Sequence, residues 1–275
     1  MRTKMRTKVA LMMFGIVFLS LTSCKVYKKG DAKLAPKKEL VTKAKKEEHK
    51  HVKWTHAAGE NGPENWANLG DEFVQCNGKS QSPINIETAN VKVNKELKQP
   101  IFSYTTSKVD IINNGHTVQF NISDGNSVTL KGKEYKLLQF HFHALSEHTI
   151  DGKHFPIEVH FVHKHSDTDF AVIGVMYKEG KVNELLAKFL KDFPDNYKTF
   201  KNVETFDVLA VLPKDRSYYN YNGSLTTPPC SEVVNWYVLE EPLEASKEQI
   251  EQFSKILHHN YRPVMPLNGR VVESN

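Results

Sequence analysis

Residues 139–149 read QFHFHALSEHT, with His141 and His143 one residue apart and Phe140 and Phe142 interleaved. In a strand, residues i and i+2 point to the same face. Gln139, His141 and His143 therefore share one face, and the two phenylalanines share the other. A buried imidazole needs a polar partner. The stretch reads as a core strand whose second face carries polar work.

A second stretch, residues 156–165 (PIEVHFVHKH), completes the pattern. Glu158, His160 and Val162 fall on one face, and Val159, Phe161 and His163 on the other. If the two strands are neighbours, His141, His143 and His160 converge. Three neutral imidazoles with one open position describe a catalytic zinc site; a structural site closes with a fourth protein ligand. Copper and nickel also suit imidazole. A ligating ring needs its other nitrogen held by an acceptor. Gln139 and Glu158, each two residues before a ligand candidate, are placed to do this. Any one of these histidines alone would read as a core residue satisfied by backbone; His-x-His beside Glu-x-His argues for metal. His148 and His163 are expected to be packed, hydrogen-bonded core histidines, and His154 and His165 surface ones.

Around these stretches, β-branched and aromatic runs alternate with Gly, Pro, Asn and Asp, which predicts strands. The candidates are 109–112, 117–122, 127–130, 137–143, 157–163, 170–177, 207–212 and 233–239. Helical spacing is found at 183–191, through Leu185, Leu186, Phe189 and Leu190, and at 246–257, opened by Ser246 as N-cap. No linker or repeat interrupts the sequence from Trp54 onward. The expected fold is a mainly β single domain with a few short peripheral helices.

The chain has 275 residues and a formal net charge of +5 at pH 7. That length suffices for one large core. Residues 1–23 hold four basic side chains and no acid, and 24–50 hold ten lysines and four acids. The remainder therefore carries a net −5. A nucleic-acid footprint should lie on the folded surface, and the folded part is acidic, so no nucleic-acid partner is expected.

The start has a basic head and an apolar run from Val9 to Leu19. This is the layout of a signal peptide, and the run is too short for a membrane span of about 20 residues. The repeat MRTKMRTK leaves translation open to Met1 or Met5. Leu21-Thr22-Ser23-Cys24 resembles a lipobox, with Cys24 as the lipidated residue; the alternative is an incidental cysteine. Residues 1–23 are read as a lipoprotein-type signal peptide and 24–51 as a lysine-rich tether. The expected location is the cell envelope, on the periplasmic or cell-surface side, with a lipid anchor at Cys24. His49, His51 and His56 are read as solvated tail histidines with at most weak metal affinity. Of three cysteines, Cys76 and Cys230 remain. An exported setting favours their pairing over two separate buried thiols.

Seven segments, QFHFH…SEHT, GPENW, QSPINI, NNGHTVQF, IEVHFVH, GSLTTPPC and RPVMPLNGR, together resemble the alpha-class carbonic anhydrases. The resemblance runs from Trp54 to Val272 in the family's order, and the domain is placed at 52–273. It implies a large twisted, mostly antiparallel central sheet with zinc at the base of a conical cleft. It implies reversible hydration of carbon dioxide to bicarbonate by zinc hydroxide, with His141, His143 and His160 as ligands. By the same resemblance, Thr226 accepts a hydrogen bond from the nucleophilic hydroxide and donates to Glu147. His116 is the implied proton shuttle. Val162, Val172, Leu225 and Trp236 form the apolar wall for carbon dioxide, and Thr227 contacts bicarbonate. Cys76 and Cys230 match a disulfide pair found in many bacterial members. Bacterial relatives can form homodimers, and no motif here decides that.

Two departures stand out. Ala144-Leu145 replaces the usual Trp-Gly or Thr-Pro after the second ligand. His56, in WTHAAG, stands where the family usually has tyrosine; a surface role is expected for it, with a second proton relay as the alternative. Three rival functions compete with the enzyme reading: a non-catalytic binding module on the same fold, a hydrolase using the same metal, and a zinc-storage or adhesion lipoprotein. The intact set His141, His143, His160, Thr226, Glu147 and His116 argues against the first. The apolar wall, suited to a small uncharged substrate, argues against the second.

Overall fold

A computed structural model of the protein describes residues 53–191, 193–194 and 199–275. The signal-peptide and tether readings, Cys24, His49 and His51 lie outside the described residues.

Eight strands form the body of the sheet: β1 Thr106–Asn113, β2 Val118–Ile122, β3 Lys133–His143, β4 Ile157–Ser166, β5 Asp169–Glu179, β6 Thr199–Asp207, β7 Tyr218–Gly223 and β8 Val234–Leu239. Their order is β6-β1-β2-β3-β4-β5-β8-β7, and short edge pieces bring the sheet to thirteen strands. Most pairings are antiparallel; β5 runs parallel to β8. The two histidine-bearing strands are neighbours: β3 pairs β4 with His141 opposite His160 and His143 opposite Glu158. That register brings all three ligand candidates to one face.

The other face of β3 explains the phenylalanines. Phe140 stacks on Phe120 with ring centroids 4.6 Å apart, and Phe142 packs on Phe253 at 5.0 Å. Each of these rings is fully buried. Burying one such side chain contributes about 1.5–3 kcal/mol. Two helices cover this face. Helix α1, Glu184–Lys191, buries Leu186 and Phe189. Helix α2, Lys247–Leu257, buries Phe253 and Leu257 and opens with a capping box between Ser246 and Gln249. Both helices form where the sequence predicts them.

One predicted strand is corrected. Residues 207–212 form a turn of 3-10 helix, Val208–Val211, because the Asp207 carboxylate accepts the backbone N–H of Leu209 at 2.9 Å. That side-chain cap diverts the backbone from strand pairing. The strand lies just upstream, as β6. Strand β7 has no counterpart among the predicted strands; its tyrosines and asparagines alternate without an aliphatic run.

Candidate metal centre

The three ligand candidates each have one nitrogen engaged and one free. His141 Nδ1 lies 2.9 Å from Gln139 Oε1. His143 Nδ1 lies 2.6 Å from the carbonyl oxygen of Asn260. His160 Nε2 lies 2.8 Å from Glu158 Oε1. All three partners are acceptors, so each engaged nitrogen carries the proton and the opposite nitrogen carries a lone pair. One nitrogen from each ring falls within 4.8 Å of those of the other two. Burial pushes all three rings down, His141 well below the usual range and His143 to about 4. They are neutral at pH 7, as metal ligands must be.

Glu158 is the keystone beneath them. Its Oε2 accepts the backbone N–H groups of Glu147 and His148 at 2.8 and 2.9 Å. Its Oε1 meets His148 Nδ1 and His160 Nε2, both at 2.8 Å. Burial alone would raise this carboxyl, but the His148 and His160 rings and their hydrogen bonds hold it well below the usual range. Gly174 is opposite His160, and a Cβ there would meet Glu158 Oε1 at 3.0 Å, so the glycine makes room for the carboxylate. His148, Glu158 and His160 also cluster closely enough to suggest a second metal position. Their hydrogen bonds already use the nitrogens that face Glu158, so this trio is a scaffold. His148 completes it with Tyr221 Oη at 2.7 Å. His163, bonded to Tyr104 Oη, is also a packed core residue, and His154 and His165 are exposed, as expected.

Glu147 is fully buried. Its Oε1 accepts the backbone N–H of Arg262 at 2.8 Å. Its Oε2 lies 3.5 Å from His143 Nε2 and 3.7 Å from His160 Nδ1. Thr226 approaches the carboxylate and lowers its pKa, yet Oε2 and His143 Nε2 both lack an aligned hydrogen-bond partner. Burial raises Glu147 to about 7. A cation among the three free nitrogens would satisfy the donor set and favour an ionised Glu147. The residues present thus fit a metal ion.

Thr226 sits in a loop clamped from several sides. Leu225 N–H donates to Ser231 O at 3.0 Å, and Cys230 N–H donates to Thr227 O at 2.9 Å. Cys76 and Cys230 form a disulfide. Ser82 N–H donates to Ser224 Oγ at 2.9 Å. Beside the loop, Val162 is opposite Val172, and Val172 is beside Trp236 in the next strand. Leu225 packs on the same apolar cluster. The Trp236 ring lies 4.8 Å from His160. The proposed wall is therefore one continuous apolar surface reaching the ligand set. Thr227 is half-buried on the same loop.

His116 follows a turn in which Asn114 Oδ1 accepts the N–H groups of His116 and Thr117, both at 2.9 Å, and Gly115 supplies φ +84°. It touches none of the ligand histidines. Its ring stacks on Trp54 at 3.8 Å and 9°. It is half-buried, and burial lowers its pKa. His116 lines a cleft of about 570 Å³ together with Trp54, His56, Thr117 and Asn260. The surface role expected for His56 is corrected: the ring is half-buried, edge-on to Trp54 at 5.2 Å and to Trp66 at 5.9 Å, and its Nε2 is buried. The aromatic pair draws it inward. Sequence reasoning assigned no role to Asn260, Arg262 or Tyr221. The first two meet His143 and Glu147 through a carbonyl and an N–H, which leave no side-chain signature, and the Asn260 amide also braces the backbone beside His143.

The family model for eukaryotic-type carbonic anhydrases matches residues 61–275. The carbonic anhydrase of Pectobacterium atrosepticum is 45% identical over 224 residues, covering 80% of this chain and 90% of that one. That of Nostoc is 40% identical over 228 residues, covering 81% and 86%. The solved alpha-carbonic anhydrase of Thermovibrio ammonificans, a complex with sulfanilamide, superposes with a TM-score of 0.78 at 42% identity, covering 81% of this chain and 99% of that one. The chain belongs to the eukaryotic-type, or alpha, carbonic anhydrase family. It is an enzyme of carbon dioxide hydration, with carbon dioxide and bicarbonate as its substrate pair.

Proposed function

We propose that the protein hydrates carbon dioxide at a single zinc ion held by His141 Nε2, His143 Nε2 and His160 Nδ1. The observation that carries this reading is the complementary engagement of the three rings: each has its other nitrogen fixed by an acceptor, which leaves three lone pairs facing one point. A zinc ion on these three imidazoles would supply a hydroxide nucleophile at neutral pH, as it does in carbonic anhydrases generally.

The chain's own residues do the rest. Val162, Val172, Leu225 and Trp236 hold an apolar substrate beside the nucleophile and keep water from its other side. Glu147 has one oxygen committed to the Arg262 N–H, so the other is left for the Thr226 hydroxyl. With its hydroxyl hydrogen held in a hydrogen bond to Glu147, Thr226 can only accept. The nucleophile must then point its proton at Thr226 and a lone pair at the carbon, which is catalysis by orientation. Thr227 contacts the bicarbonate product. His116, at the cleft wall, takes the released proton to solvent, a step suited to an imidazole.

The export reading belongs to the same proposal: a signal peptide over 1–23, lipid attachment at Cys24 and a tether over 24–51 place the enzyme in the cell envelope. Radiolabelled fatty acid incorporation that disappears with Cys24→Ser tests it. For the site, Thr226→Ser should keep most activity, whereas Thr226→Ala should lower kcat/KM by about 100-fold, the scale of losing one oriented hydrogen bond at a reacting centre. Equal activity in the two variants would sink the role given to the hydroxyl.

A further inference from the structure

Thr226 and Glu147 lie on segments far apart in the chain, and a third segment sets where they meet. Residues 81–82 hold both ends of the loop that carries Thr226. At its start, Ser82 N–H donates to Ser224 Oγ at 2.9 Å, and Ser224 N–H donates back to Ser82 Oγ at 3.1 Å. At its end, Gln81 Nε2 donates to Cys230 O at 3.1 Å. The same nitrogen reaches Gln75 O at 2.9 Å and Glu232 Oε1 at 3.0 Å. Gln81 is buried, and its amide nitrogen has acceptors on every side.

The other end of the amide belongs to Arg262. Gln81 Oε1 accepts Arg262 Nη1 at 2.8 Å. A guanidinium only donates, so this contact fixes which end of the amide faces which partner. Arg262 Nη1 also donates to Ser82 O at 2.9 Å, and Nη2 to Cys76 O at 3.1 Å. The guanidinium is fully buried, and these acceptors are neutral and all lie on residues 76–82. Removing Gln81 Oε1 leaves part of a buried cation unpaired, so Arg262 has to shift to find another acceptor. The backbone N–H of the same Arg262 is the group that occupies Glu147 Oε1, at 2.8 Å. One glutamine thus joins the Thr226 loop, through Nε2, to the residue that aims Glu147, through Oε1.

We propose that Gln81 is a positioning residue for the hydration step: by holding Cys230 O and Arg262 at once, it fixes the separation between the Thr226 hydroxyl and the Glu147 carboxylate. This rests on the reading of Thr226 and Glu147 as the pair that orients the nucleophile. Orientation at a reacting centre is sensitive to small displacements; a shift of about 1 Å caused by a change remote from the chemistry can cost about 100-fold. The ligand histidines take their support from Gln139, Asn260 and Glu158 instead. The effect of Gln81 is therefore confined to the orienting pair and does not extend to metal affinity.

A double-variant cycle in the zinc-loaded full chain tests this. Gln81→Met keeps the length of the side chain and removes both of its hydrogen-bonding ends. It should lower kcat/KM for carbon dioxide hydration about 5–20-fold and leave zinc affinity within about twofold. In a Thr226→Ala background the same substitution should change kcat/KM by less than about twofold, because the hydroxyl it positions is already gone. A merely structural role would lower kcat/KM by the same factor in both backgrounds. Gln81→Glu keeps an acceptor for Arg262 but turns an oxygen toward Cys230 O. It should show the same non-additive loss, and it takes the place of Gln81→Met in the cycle if that variant does not fold. Equal losses in the two backgrounds, or no loss when Thr226 is intact, would overturn this inference alone. A Thr226→Ala variant as active as wild type would remove the underlying reading of the orienting pair as well.

Discussion

The carbonyl oxygen of Asn260 lies 2.6 Å from Nδ1 of His143, joining the end of the chain to the middle ligand of the metal centre. The Asn260 side chain reinforces the same spot: its Oδ1 accepts Ala144 N–H at 3.1 Å, and its Nδ2 donates to Phe142 O at 2.9 Å. Both neighbours of His143 are thus tied to one residue. Asn260→Ala leaves the buried Ala144 N–H unpaired, at about 1–3 kcal/mol, while Phe142 O keeps the Thr117 hydroxyl at 2.6 Å. It should lower unfolding free energy by about 1–3 kcal/mol and weaken zinc binding about 10-fold or more, the usual cost of losing support behind a ligand. Denaturant unfolding and competition against a zinc chelator measure the two effects.

Glu158 accepts four N–H groups in full burial. Glu158→Gln keeps the shape but places an N–H₂ group against donors. Zinc affinity should fall about 10–100-fold, and the metal-free protein should also be less stable. Unchanged affinity would show that the orientation of His160 does not depend on the carboxylate.

These two residues mark where the sequence was legible. Alternation in 139–143 and 157–163 put the three ligand candidates on matching faces, and Gln139 and Glu158 behind them, because a strand's period of two maps sequence onto space. Ser246 announced α2 because its cap is local. Asn260 and Arg262 were opaque because they reach the site through a carbonyl and an N–H. Strand β7 was hidden because tyrosine and asparagine mask its alternation. His56 was misjudged as a surface residue because its burial depends on Trp54 and on Trp66, ten residues further along the chain.

The disulfide closes a separation of 154 residues beside the loop that carries Thr226. Its removal by Cys76→Ala with Cys230→Ala should cost about 2–5 kcal/mol. It should also lower kcat/KM, since Cys230 N–H and Thr227 O help shape the loop. Unfolding curves and steady-state rates of the double variant, compared with wild type, check both parts.

His163 is fully buried, and burial pushes it from 6.5 down to about 4, against a raising effect of the nearby Phe161 and Ala171 backbone. The unfolded chain therefore takes up the proton first. The contribution of neutral His163 is complete above about pH 6.5 and is lost as pH falls toward about 4, amounting to about 2 kcal/mol by about pH 5. Between about pH 7 and about pH 5, metal-free wild type should lose more stability than metal-free His163→Gln. The other buried histidines titrate in both proteins and cancel in the difference. Parallel losses in urea unfolding would contradict the assignment.

Stopped-flow carbon dioxide hydration on the purified full chain, zinc-loaded, then stripped by a chelator, and again with His143→Ala, tests the metal centre most directly. The geometry predicts one zinc per chain, fast hydration, loss on stripping with recovery on zinc addition, and no recovery in the variant. Full activity in stripped protein, or in His143→Ala, would contradict a zinc centre on His141, His143 and His160.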